Sequence, residues 1–154
     1  MIRQAIENDI PALMRLLDQV NRVHHEGRPD IFRRGTKYDE ADLAKLLHDP
    51  DTHIFVSVNS DGNVTGHAFC ALQQTHDDRL LCDRKTLYID DICVDETARG
   101  SGIGRRLYDA CELYARQSEC DSVTLNVWSL NRDAEGFYQR LGLVPLKTTM
   151  ERIL

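Results

Sequence analysis

No stretch of this chain approaches the roughly 18 consecutive apolar residues that a membrane-spanning helix needs. Its opening, MIRQAIENDI, has neither the basic head nor the apolar run of a secretory leader. The five cysteines, Cys70, Cys82, Cys93, Cys111 and Cys120, are odd in number and form no Cys-x-x-Cys pair. That spacing speaks against a zinc site or a disulfide framework and for reduced thiols. Internal repeats, low-complexity tracts and linkers are also missing. Basic charge is in deficit: the net charge of −6 excludes a general binder of nucleic acid or of anionic membrane. Taken together, these absences lead us to expect a soluble cytoplasmic protein with neither nucleic acid nor membrane among its partners.

The 154 residues fit one domain, 1–154, which at this size buries roughly 70% of its unfolded surface and needs no cross-links. MIRQAI alternates as a short strand. Asn8 or Asp9 can then cap a helix with Pro11 in its first turn, whose apolar face is Ile10, Leu13, Leu16, Leu17 and Val20. That helix fades between His24 and Gly27, and a second one fits Glu40 to His48. Strands are expected at 53–58, 64–74, 87–94 and 122–128, with Asp61-Gly62 as a hairpin turn. Helices are expected over 103–118 and 132–140, the latter stopped by Gly142, and LVPLKTTMERIL reads as a final strand. This order, an antiparallel meander feeding a βαβ unit, is an α+β fold. A closing strand able to pair across a two-fold axis points to a homodimer.

One segment concentrates chemistry. In DETARGSGIGRR, Gly100, Gly102 and Gly104 alternate immediately before a helix. A glycine-rich turn at a helix N-terminus aims several backbone N–H groups at one point, and the helix dipole adds positive charge. Phosphate oxygens suit such a nest, and Arg99 and Arg105 can add charged contacts. A plain glycine-rich turn remains the alternative. A P-loop is excluded because no lysine follows the glycines. A dinucleotide fingerprint fits poorly, since its third glycine position is Arg105 and the strand SVTLNV ends without an acid.

The segment Arg99-Gly100-Ser101-Gly102-Ile103-Gly104, after a strand ending at Val94, resembles the Arg/Gln-x-x-Gly-x-Gly/Ala signature of the GCN5-related N-acetyltransferase (GNAT) superfamily. Downstream, Asn131, Ala134, Phe137, Tyr138 and Gly142 match a second motif of that superfamily, with Leu143 where it carries phenylalanine. The resemblance implies a GNAT fold: a central mixed, mostly antiparallel sheet with helices on both faces, splayed between the strands at 87–94 and 122–128. It implies acetyl-CoA as co-substrate and an amine as acceptor, with no metal. The diphosphate would lie on the amides from Arg99 to Arg105, including those of Ser101 and Ile103. The pantetheine arm would run beside Ile92, Cys93 and Val94, pairing with backbone groups of Ile92 and Val94, with Asn131 contacting it from the far side and Phe137 also lining its site.

Acetyl transfer to an amine needs an unprotonated nucleophile, a stabilised oxyanion and a proton for the departing thiolate. The resemblance places Tyr138 beside the sulfur, where a phenol of pKa about 10 can protonate it. Asp90 and Asp91 precede the expected splay. Neighbouring strand residues face opposite sides of a sheet, so one of the two should face the acceptor. Ile89-Asp90-Asp91-Ile92-Cys93-Val94 is similar to the Leu-Glu-Asp-x-x-Val of diamine acetyltransferases, which favours Asp90 as the general base, acting through a water. The backbone N–H of Cys93 or Val94 is the expected oxyanion donor, and a covalent route through the Cys93 thiolate is the rival mechanism. In Arg28-Pro29-Asp30-Ile31-Phe32, Asp30 and Phe32 are candidate acceptor-pocket residues, as are Asp91 and Trp128. His24, His25 and Glu26 do not have metal-ligand spacing. Two readings of other classes stay open: a silent acyl-CoA-binding module on the same fold, and a nucleotide-binding redox protein.

Overall fold

Period-two alternation in the strands assigns each face of the sheet its helices. The structure, a computed structural model, describes all 154 residues. Five strands, β1 (Ile2–Gln4), β2 (Thr52–Val58), β3 (Val64–Thr75), β4 (Arg84–Val94) and β5 (Ser122–Leu125), lie in sequence order across one sheet. The first four are antiparallel, and β4 pairs with β5 in parallel. Ile54, Val56 and Phe69 turn to the face covered by α1 (Ile10–Gly27) and α2 (Glu40–His48), where Leu13, Leu16, Leu17 and Leu43 are buried. Ala68, Cys70, Leu87 and Ile89 turn to the opposite face, covered by α3 (Ile103–Gln117) through Ile103, Leu107, Cys111 and Ala115. The last helix, α4 (Arg132–Arg140), ends at Gly142, whose φ of +91° makes it the left-handed stop read from the sequence. The α+β class, the mixed sheet and the helices on both faces are as expected.

Three local expectations are corrected. Asp9 stands at the start of α1 but makes no cap there; its carboxylate binds Arg3 at 2.6 and 2.9 Å and the Ile6 amide at 2.9 Å, tying β1 to the helix. The strand expected over 122–128 ends at Leu125. The closing segment is no strand at all: residues 144–154 make no backbone hydrogen bond, because nothing within the chain pairs with them.

Asp95 fixes the exit of β4. Its amide donates to Thr65 O at 2.9 Å, and its carboxylate receives Arg15 and both the amide and the hydroxyl of Thr97. These donors, Arg15 first, pull its carboxyl down to about 2. A folded-state value below the unfolded one of about 3.9 stabilises the protein above that pH, and the stabilisation is lost as pH falls through 2. Asp95→Asn should therefore lower unfolding free energy at neutral pH by about 1 kcal/mol, allowing for the exposure of Arg15. Paired denaturant titrations should find the gap between variant and parent closing between pH 4 and 2.

Candidate active site

Between the end of β4 and the start of α3 the chain makes one 3-10 turn, Glu96–Ala98, and then the glycine turn. Gly100 and Gly102 have φ of +78° and +76°, left-handed values that glycine takes without the strain of a Cβ. Ser101 Oγ donates to Ala98 O at 2.6 Å and Arg106 Nη1 donates to Ser101 O at 3.0 Å, so the carbonyls of the turn are held back. The amides are left over. From Arg99 to Arg105, seven successive N–H groups donate to no acceptor in the protein. They surround the N-terminus of α3, where the helix dipole favours an anion. Arg99 and Arg105 are exposed, but Arg99 Nε leans on Val94 O (3.3 Å) and Arg105 on Asp109 (2.7 Å). Gly104 has a different duty: a Cβ there would stand 3.3 Å from the Phe137 ring and 3.7 Å from Val94, so its absence lets α3 and α4 close together.

Beside this turn the sheet opens. β4 and β5 pair from Thr86–Ser122 to Ile89–Leu125 and no further, so Ile92, Cys93 and Val94 run on with no partner on that side. The β3–β4 register also slips at this point: Cys70 faces Ile89, Phe69 faces Asp91, and Asp90 is the extra residue of a bulge. Burial follows the slip, since Leu87 and Ile89 but then Ile92 and Val94 pack on the α3 side, while Cys93 packs on the α1 side. Strict alternation of the two aspartates is thereby overturned. Asp90 reaches Tyr38, which stacks on Phe69 at 5.8 Å; Asp91 reaches His67, which meets Phe69 edge-on at 4.9 Å. Both carboxylates serve the same side.

Their surroundings differ. Both Asp90 oxygens are 2.6 Å from Lys37 Nζ, and one also accepts from the Tyr38 hydroxyl at 3.0 Å. Asp91 has one partner, His67 Nε2 at 2.6 Å on Oδ2, and its other oxygen has none. His67 is fully buried and its Nδ1 has no hydrogen-bond partner. Burial, followed by the Asp91 charge, pushes the Tyr138 hydroxyl above the usual tyrosine range. Cys93 points to Leu16 O, and burial first and Asp91 second push its thiol up to about 12. Asn131 caps α4, its Oδ1 accepting the Ala134 amide at 3.2 Å and its amide nitrogen remaining free.

The residues expected on the acceptor side separate into two groups. Phe32 sits between His24, stacked at 5.0 Å, and Trp128, edge-on at 4.9 Å, and His25 Nδ1 bonds its carbonyl at 2.7 Å. Sequence-distant Phe32 and Trp128 thus form one aromatic wall. Asp30 does not join it; both its oxygens bind Arg28 at the surface.

A model of the acetyltransferase (GNAT) family matches residues 17–143. The chain belongs to the GNAT family. A mutant of the BH1408 protein from Bacillus halodurans superposes with a TM-score of 0.97 at 34% identity, covering 100% of this chain and 99% of that one. The streptothricin acetyltransferase of Streptomyces lavendulae is 32% identical over 94 residues, 61% of this chain and 46% of its own length. The blasticidin-S acetyltransferase of Streptomyces morookaense is 40% identical over 57 residues, 36% of this chain and 40% of its own. The chain therefore spans less than half the length of these two relatives. The aminoglycoside N-acetyltransferase AAC(6')-Iy, solved in complex with CoA, shares the fold at 16% identity with a TM-score of 0.76 over 100% of this chain and 98% of that one.

Three polar residues of this GNAT site escaped the sequence reading. Lys37 and Tyr38 lie in an irregular segment with no periodic signal. His67 carried one: in VTGHAFCAL it shares the two-residue period of Phe69, so a polar ring had to lie on an apolar face.

Proposed function

We propose that this chain transfers the acetyl group of acetyl-CoA to an amine by direct attack within a ternary complex. The seven unbonded amides from Arg99 to Arg105, opening where β4 leaves β5, carry this reading. A diphosphate supplies the acceptors those donors lack. Backbone groups of Ile92 and Val94 are available to an extended arm in the gap, since Cys93 shares the β3-facing parity of Asp95; the free Asn131 amide nitrogen serves the arm from the far side, and Phe137 packs on Gly104. Acetyl-CoA supplies the activated acyl group and the leaving thiol.

Asp91 is favoured over Asp90 as the group that accepts the ammonium proton, directly or through water. Asp90 is already compensated by Lys37 and Tyr38, whereas Asp91 keeps one oxygen open and is oriented by His67. Tyr138, its proton held firmly by burial and by the neighbouring negative charge, donates to the thiolate. The N–H of Val94, which faces the gap, meets the oxyanion. A thiol pushed up to about 12 is a poor nucleophile at neutral pH, which disfavours the covalent route through Cys93. An aromatic wall of Phe32 and Trp128 suits a cationic small-molecule amine. The antibiotic acetyltransferases among the relatives point the same way.

A thiol-release assay with acetyl-CoA and a panel of amines tests this. CoA should appear only when an amine is present, with intersecting initial-rate lines. Tight CoA binding without turnover of any amine would support a silent module, and NAD binding without CoA binding would refute the acetyltransferase reading. Gly102→Ala puts a Cβ on a left-handed angle at a cost of roughly 1–2 kcal/mol; the free turn escapes that cost by leaving the angle and CoA must restore it, so calorimetry should find affinity about tenfold weaker.

A further inference from the structure

Residues 28–39, the irregular segment between α1 and α2, bring to the two aspartates a positive charge that acetyl transfer does not use. Lys37 Nζ lies 2.6 Å from both Asp90 oxygens, and the Tyr38 hydroxyl donates to Oδ2 of the same carboxylate at 3.0 Å. Tyr38 is itself fixed, stacked on Phe69 at 5.8 Å, so the backbone that delivers Lys37 is held beside its target. Burial opposes the Lys37 charge, but Asp90 outweighs burial and holds the ammonium above the ordinary lysine value. The Lys37 side chain is 57% exposed and that of Asp90 only 17%, so the ammonium caps the carboxylate on its solvent side.

Asp91 has no such cap. Its partner is His67, fully buried, with Nδ1 unpartnered. A second proton on Nδ1 would be a buried donor without an acceptor, so His67 meets Asp91 as a neutral donor from Nε2. Two adjacent carboxylates on one side of β4 thus present a single uncompensated negative charge.

We propose that Lys37 is a specificity-determining residue that restricts the acceptor to an amine with one ammonium group and no second cation within reach of Asp90. This rests on the acetyl-transfer reading above. One open carboxylate matches one ammonium, the group that must lose its proton. A second ammonium on the acceptor meets Lys37 first, a like charge, and like charges set side by side count against the wrong partner. To reach Asp90 it has to displace a competitor tethered through Tyr38, whose effective concentration is on the order of millimolar. Removing the lysine charge reverses the selection, because Asp90 and Asp91 together then suit a dication.

Calorimetry on the CoA-loaded protein, which has no acetyl group to transfer, should compare 1-aminobutane with 1,4-diaminobutane. The parent should bind the monoamine at least as tightly as the diamine. Lys37→Met should bind the diamine about tenfold more tightly than the monoamine, the gain of one charge-assisted contact. Lys37→Arg, which keeps the charge, should keep the parental order, and all three proteins should share one circular dichroism spectrum. The kcat/KM values for the two amines should change order in the same way. A parent that favours the diamine tenfold overturns the proposal, as does a Lys37→Met protein that keeps the parental order or binds neither amine. Because the binding order is read without turnover, a failure of acetyl transfer and a failure of this charge selection show separately.

Discussion

Asp91→Asn is expected to lower kcat by about 10²–10⁴ at neutral pH while leaving CoA affinity unchanged. An amine bound as ammonium must lose a proton before it can attack, and the amide that replaces the carboxylate cannot take it. The deficit should shrink as pH rises, because the fraction of acceptor arriving unprotonated grows and the base becomes dispensable. Asp90→Asn separates the two carboxylates. Its partners Lys37 and Tyr38 make it a wall of the acceptor side, so its loss should raise KM for the amine more than it lowers kcat. If Asp91→Asn kept the parent rate and Asp90→Asn abolished it, the roles would be reversed. His67→Gln, which keeps a donor near Oδ2, should lie between parent and Asp91→Asn.

Tyr138→Phe should cost about 10² in kcat, the lower end of the range for losing a positioned general acid. The ring stays packed against Phe137, so stability and CoA affinity should change little. Burial and the Asp91 charge hold the phenolic proton above the ordinary tyrosine value of about 10. In the parent, the fall in rate caused by losing that proton should therefore begin only above this pH; in the variant that limb should disappear. A variant with parental kcat and an unchanged basic limb would assign the acid to another donor.

Much of the architecture was legible because it depends on local periodicity. Helices α2 and α4 begin and end at the residues expected from their apolar spacing, Asp39 caps α2 through the Asp42 amide, and Gly142 stops α4. The glycine turn was readable for a similar reason: which residues tolerate left-handed angles before a helix is a local property. Features set by pairing between strands were not. The bulge at Asp90 arises from the register of β4 against β3, and nothing in IDDICV marks which residue will be the extra one. That single slip decides that Asp90 and Asp91 share a side, so the choice of base falls to their partners rather than to strand alternation. The closing segment fails in the opposite direction. Its alternation is that of a strand, but alternation specifies a strand only where a neighbour exists, and the single chain provides none.

The central claim is that the amides of residues 99–105 hold the diphosphate of CoA. Amide chemical shifts recorded during a CoA titration test it most directly, since Gly100, Gly102 and Gly104 resonate apart from most other residues. All three should move with the same saturation curve, together with Ser101 and Ile103, and inorganic pyrophosphate should shift the same set. If CoA bound while those amides stayed still, or if it failed to bind at all, the account would be wrong.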